Sequence, residues 1–246
     1  IAVGIVGYFY ITFQENHLVL DEDFCPTNRP ANSLTVIMID RTDPIAPIQQ
    51  AAVRVRLNDI KASIPRYGEI QVYSVGSVEE EVLTPIVRLC NPGGPSDIDR
   101  WTEPQKKAVK RWQEGFEEPL GAVFEQIVES GAANQSPIIE SIQSVSVSAF
   151  TGDHLRSVEK RMIIISDMLQ NSDAFSHYKD GIDFKALRDA RVFARLGANL
   201  NDVRVTILYL NRNLPRSLQG RGHVGFWEQY IRHNSGSLDH VVAIEG

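Results

Sequence analysis

Leu34 to Pro44 reads Leu-Thr-Val-Ile-Met-Ile-Asp-Arg-Thr-Asp-Pro, an apolar run that stops abruptly at a carboxylate, a hydroxyl and a second carboxylate before Pro44 opens a helical pattern. A run so apolar belongs to a strand covered on both faces, as in a parallel sheet. In open α/β sheets, ligands gather at the carboxyl ends of such strands. Asp40, Thr42 and Asp43 stand at such an end. What matters about every other element is whether it converges on that place.

From Pro44 to Ile64, apolar residues at Ile45, Ile48, Ala52, Val55 and Ile60 have helical spacing, and Pro65 and Gly68 end the pattern. Glu69 to Val75 alternates as a strand, and Val82 to Leu89 predicts a third, interrupted by Pro85 and so suited to a sheet edge. After the Pro/Gly-rich stretch Cys90 to Ile98, Thr102 and Gln105 are placed as a capping box for a helix through Ala108, Val109, Trp112 and Phe116, with a kink or restart at Pro119. The loop Gly131 to Gln135 leads to Ser136-Pro137 and a helix with Ile138, Ile139, Ile142, Val145 and Ala149 on one side. Arg161 to Asp167 repeats the opening pattern, an apolar strand ending in Ser166 and Asp167. Val203 to Leu210, a helix containing Phe226 to Ile231, and Asp239 to Ile244 complete the order.

This alternation predicts an α/β fold, a doubly wound, mostly parallel six-stranded sheet. The join between Val75 and Val82 is too short for a parallel crossover, which makes the third strand an antiparallel edge beside the second. Following the chain up and down that sheet brings Asp40, Thr42, Asp43, Ser136 and Asp167 to one rim. The same path takes Cys25 and Cys90 to the opposite end. A disulfide between them is geometrically possible there and would need an oxidising compartment; two separate thiols are the alternative.

The chain is long enough for one sizeable domain, assigned here to 34–246 after a polar connector at 14–33. A net charge of −6 offers no basic excess for phosphates, which excludes a general nucleic-acid binder. Lys106, Lys107, Lys110 and Arg111 are expected on the solvated face of a helix. Residues 1–13 are almost wholly apolar and uncharged. They suit the end of a transmembrane anchor, a signal-peptide core, or a buried element of the domain. The first option places the domain on the non-cytoplasmic side of a membrane, periplasmic or extracellular; the alternative is the cytoplasm.

The strand order and the three rim segments resemble a von Willebrand factor A domain over Leu34 to Ile244. Such domains have a short antiparallel edge strand and hold a divalent cation through three loops, the metal-ion-dependent adhesion site. The matching segments are Asp40-Arg41-Thr42-Asp43-Pro44, Gln135-Ser136-Pro137 and Ile165-Ser166-Asp167-Met168. Pro44 stands where the first loop of the family has a second serine, and Ser136 where the second loop has a threonine. The resemblance implies a cation ligand set of Asp40, Thr42, Asp43, Ser136 and Asp167, with Mg²⁺ (or Mn²⁺ or Ca²⁺) as cofactor. Hard cations take such oxygen donors. It also implies a protein partner at the rim, with Arg41, Asn171, Asp173 and His177 as partner-facing candidates.

Each feature has a plainer reading. Asp43-Pro44 and Ser136-Pro137 are also ordinary helix-capping pairs. His177 reads as a surface histidine, and Trp227 as core. A haloacid-dehalogenase-like phosphohydrolase would use Asp40 as nucleophile and Asp167 as a metal ligand, but Thr42 stands where its general acid belongs. A structural subunit with an inactive metal site is the remaining alternative. The glycines fit no phosphate-loop or dinucleotide pattern.

Overall fold

The computed structural model describes residues 18–75, 83–97, 104–128, 135–212 and 218–246. The apolar stretch 1–13, the expected cap Thr102, Val82 and most of the loop 131–135 lie outside them. Among the described residues, no helix is long and apolar enough to cross a membrane.

Six strands form one sheet: β1 (Ser33–Asp40), β2 (Glu69–Val75), β3 (Val87–Cys90), β4 (Glu159–Ser166), β5 (Val203–Leu210) and β6 (Ser237–Ile244). Their order is β3-β2-β1-β4-β5-β6, with every pair parallel except the antiparallel β2–β3 edge. The helices are α1 (Pro47–Ser63), α2 (Gln105–Trp112), α3 (Glu118–Val128), α4 (Ile138–Ala149), α5 (Phe184–Asp189) and α6 (Arg221–His233). This is the doubly wound sheet, with its one antiparallel edge strand, that the apolar runs predict.

All eight residues of β1 are buried. Because side chains alternate across a strand, Leu34, Val36 and Met38 enter the core against α4 and α6, while Ile37 and Ile39 enter the core against α1 and α3. Asp40 continues the even-numbered series, on the side from which α4 begins. Strand parity therefore aims this carboxylate at Ser136.

Prolines account for the two largest departures from the expected element boundaries, at the starts of α1 and β3. Helix α1 starts at Pro47 rather than Pro44, with Ala46 extended at its N-cap (φ −63°, ψ 146°). A residue before proline is driven out of the helical region, so Ala46 cannot join the helix. The third strand begins at Val87, not Val82, and Pro85 lies before it. Proline has no N–H to give to the ladder, and pairing starts with Ile86, whose N–H donates to the Val72 carbonyl at 2.7 Å. Between α2 and α3 the chain runs through a π-helical turn, Gln113–Glu117, just ahead of Pro119. The wider turn accommodates a residue that lacks the N–H of an α-helical ladder. A Cβ at Gly115 in this turn would lie 2.2 Å from the Phe24 ring, so glycine there admits the connector against the helix.

Cys25 and Cys90 are joined by a disulfide, their Cα atoms 4.9 Å apart and 65 positions apart in sequence. Arg88 adds ion pairs to Asp21 (3.2 Å) and Glu69 (3.0 Å), tying the connector to the lower end of β2 and β3. Closing so long a loop restricts the unfolded chain, and a disulfide of this kind contributes ~2–4 kcal/mol. Cys25→Ser with Cys90→Ser should lower the melting temperature by roughly 5–15 °C relative to the oxidised chain. An unchanged melt would show that the bond contributes nothing to the fold.

Candidate functional site

Asp40 is 5% exposed, yet each of its carboxylate oxygens accepts two hydrogen bonds. Oδ1 accepts from the Thr42 N–H at 2.9 Å and the Thr42 hydroxyl at 2.6 Å. Oδ2 accepts from the Ser136 hydroxyl at 3.0 Å and the Ser166 hydroxyl at 2.8 Å. A buried carboxylate is tolerated only when its lone pairs are satisfied in this way. The donors come from three separate segments: the loop after β1, the residue before the N-cap of α4, and the last residue of β4, where the third loop begins. Neither capping pair caps its helix: Ala46 and Pro137 hold the N-cap positions of α1 and α4, with no side-chain cap bond at either. Ser136 is thus free to face Asp40.

The third loop is held just as firmly. Asp167, 2% exposed, accepts from the Leu169 N–H through Oδ1 (2.9 Å) and from Arg212 Nε through Oδ2 (2.9 Å). Burial pushes the Asp167 carboxyl above the usual range, and the charge of Asp40 pushes the same way; the Leu169 N–H and Arg212 oppose them. Arg212 Nη1 also donates to the Pro44 carbonyl, so one guanidinium bridges the first and third loops. Gln219 fixes the backbone on either side, accepting from the Arg212 N–H (2.7 Å) and donating to the carbonyls of Asp167 and Leu210 (3.1 Å each).

Met168 has a left-handed backbone (φ 62°), a conformation a non-glycine residue keeps only when its surroundings hold it. Its carbonyl accepts from Trp227 Nε1 and His223 Nε2, each at 3.0 Å. A carbonyl can only accept, so His223 carries its proton on Nε2, and its Nδ1 takes the Tyr209 hydroxyl at 2.6 Å. His177 Nδ1 lies 3.2 Å from the same Nε2, and His177 Nε2 is buried without a hydrogen-bond partner. Burial drives both imidazoles down, His177 to about 3 with a further push from His223, and His223 to about 4 against the pull of the Met168 carbonyl. Both are neutral at pH 7.

The partner-facing candidates separate accordingly. His177 is 1% exposed, which corrects the expectation of a surface histidine: it packs edge-on against Phe226 and His223 beneath the rim. Asn171 is half-buried and pairs with Ser136 in both directions, N–H to carbonyl, at 2.8 Å. Arg41 and Asp43 are half-buried, and Asp173 is exposed, accepting from Gln135 Nε2 at 3.2 Å. Tyr178, 52% exposed, feels the charges of Asp167, Asp43, Asp40 and Arg212, and burial together with the carboxylates raises its hydroxyl pKa. Trp227 is fully buried, as expected of core.

Sequence reasoning singled out neither Arg212 nor Gln219. A signal existed, because Asn211-Arg212 directly follows the apolar strand β5, the same position in the pattern as Asp40 and Asp167.

A hard cation suits these donors in kind, since the Thr42 and Ser136 hydroxyls turn their protons to Asp40 and keep oxygen lone pairs. The charge does not fit. Arg212 already balances Asp167 at 2.9 Å, so a divalent ion seated on that carboxylate would have to displace the guanidinium or face its like charge. No chemistry is therefore assigned to a metal here. Cys25, Glu69 and Cys90 are the one group of potential ligands among the described residues close enough to share an ion. Both sulfurs are in the disulfide and Glu69 pairs with Arg88, so that group is not a metal centre.

No protein-family model matches the chain, and no curated protein matches it. Solved structures similar to it include the VWA domain of SpRpn10 (12% identity, TM-score 0.46, covering 87% of this chain and 88% of that one). An aerotolerance-related membrane protein from Bacteroides fragilis is 10% identical (TM-score 0.40, 86% and 91%). The conserved hypothetical protein BatB from Bacteroides thetaiotaomicron is 13% identical (TM-score 0.39, 87% and 91%). At such values the strand order carries the fold by itself. That order, with its antiparallel edge, is the arrangement of the von Willebrand factor A domain that the sequence resembles.

Two outcomes follow from the buried groups. Asp40→Ala strands three buried hydroxyls and should cost roughly 3–5 kcal/mol in a denaturant melt; a loss below 1 kcal/mol would mean the carboxylate organises nothing. The histidines set a pH dependence. Their folded pKa values lie below the unfolded value, so below about pH 6.5 the unfolded chain takes up protons that the folded chain refuses until near pH 4 and 3. Stability should fall from pH 7 to pH 5 by about 2 kcal/mol per histidine. The raised Asp167 acts in the opposite sense, and only in the acid range above its unfolded value. His223→Phe should flatten the profile; an equally steep one would assign the slope elsewhere.

Proposed function

We propose that the chain is a von Willebrand factor A-like binding module that recruits a protein partner through the rim at the carboxyl ends of its strands. The observation that carries this reading is the convergence of three loops on the buried carboxylate of Asp40. A rigid base of that kind presents the residues above it in fixed geometry, as a preorganised binding surface requires. Tyr178 (52% exposed) lies within reach of the charges of Asp167, Asp43 and Asp40. Ile48 (64% exposed) is in the first turn of α1, which follows the first loop. Asp43 and Arg41 belong to that loop, and the exposed Asp173 to the segment after β4. Exposed aromatic and aliphatic anchors within a charged surround are what protein interfaces use.

The chain is anchored to a membrane through residues 1–13, with the domain on the non-cytoplasmic side. The Cys25–Cys90 disulfide supports that placement, because such bonds persist in oxidising compartments. Partner recruitment in this reading does not run through a metal. Nor does it involve phosphoryl transfer: a nucleophilic Asp40 would have to present an oxygen to substrate, and both of its oxygens are taken up by four hydrogen bonds.

A photo-crosslinking amino acid at Tyr178 of the full chain should trap a discrete partner in native membranes. The same group at the exposed His154, at the opposite end of the sheet, should not. Tyr178→Ala with Ile48→Asp should reduce recovery of that partner at least tenfold. Equal adducts from both positions, or recovery indifferent to the double substitution, would sink the rim as the docking surface.

A further inference from the structure

Arg212 occupies a telling place. Its Nε donates to Asp167 Oδ2 at 2.9 Å and its Nη1 donates to the Pro44 carbonyl, so the guanidinium lies across the first and third loops. Those are the two loops whose carboxylates would flank a cation in the arrangement the sequence resembles. The contact is built in. Asp167 is 3% exposed and Arg212 20% exposed at the side chain, the Arg212 N–H is received by Gln219, and Gln219 in turn donates to the Asp167 carbonyl. Arginine keeps its charge at any accessible pH and offers a fixed fork of donors, properties it shares with a bound metal ion more than with a titrating side chain. In the first and second loops, the Thr42 and Ser136 hydroxyls turn their protons to Asp40 and keep the oxygen lone pairs a hard cation would use.

We infer that Arg212 is a tethered cation that takes the charge-balancing place of a divalent ion at the rim, so that the native site works without metal and holds a latent cation site that removing Arg212 exposes. The guanidinium and a divalent ion compete for Asp167, and the tether gives the guanidinium a standing advantage in effective concentration. A partner that draws Arg212 off Asp167, through a carboxylate of its own, would uncover the same oxygens. This inference rests on the rim being the functional surface. Its test reads metal directly, so it can fail while partner capture succeeds, and the reverse.

The test is Mn²⁺ titration of the full chain, followed by the electron paramagnetic resonance signal of free Mn²⁺, for wild type, Arg212→Met, Arg212→Lys and Arg212→Met with Asp40→Asn. Wild type and Arg212→Lys, which retains the charge, should show no saturable site at millimolar Mn²⁺. Arg212→Met should bind one ion at least tenfold more tightly than wild type, and adding Asp40→Asn should abolish that binding. Saturable binding by wild type that Asp40→Asn removes would overturn the inference, and this arm holds even if Arg212→Met fails to fold. A folded Arg212→Met without a site would equally overturn it, as would Arg212→Lys binding as tightly as Arg212→Met.

Discussion

A carboxylate at the end of a strand buried on both faces has to find its hydrogen-bond donors within the protein, and in this chain that need shapes the rim. Asp40 has almost no access to water, so its four acceptor positions are met by Thr42 from its own loop, Ser136 from the loop before α4, and Ser166 from the end of β4. Each bond to a charged acceptor is worth more than a neutral one. Together they make three loops a single unit. The strands beneath supply the rigidity, since Asp40 and Ser166 both extend strands that pair in register along β1 and β4.

The rim sits on a second layer that is polar and yet neutral. The Met168 carbonyl, turned by a left-handed backbone, is gripped by Trp227 and His223, and His177 completes the stack against Phe226. Two uncharged imidazoles under three carboxylates keep positive charge away from the base of the rim. The counter-charge arrives from above, through Arg212. This division puts the groups that lose stability first on acidification, the two imidazoles, below the rim, and a cation that does not titrate above it.

Much of this was legible in the chain. Apolar runs that end in Asp40 and in Ser166-Asp167 give both the parallel strands and the edge at which they stop, and the short join after Val75 gives the antiparallel strand. The disulfide partners follow from the same up-and-down path, although only the 4.9 Å Cα separation shows that they meet. Pro44 and Pro85 misplace the boundaries because proline's local effect falls on its predecessor and on the ladder, not only on itself. His177 was illegible for a different reason. A histidine in a polar stretch, Asn171 to Asp180, gives no sign of burial until α6 brings Phe226 and His223 over it. Arg212 follows a strand end, the place the pattern marks, but an oxygen-ligand set implies an ion from solution and gives no sign that the chain carries its own cation to Asp167.

Native-state hydrogen exchange of the wild-type chain beside Asp40→Asn tests most directly whether one carboxylate holds three loops together. The amides of Thr42, Asn171 and Met168 report the three loops, through their bonds to Asp40, Ser136 and Ser166 respectively. The account predicts that all three lose protection together in the variant, while amides at the lower end such as Cys90 keep theirs. Loss confined to Thr42, with Asn171 and Met168 unchanged, would contradict it and leave Asp40 as a local turn residue.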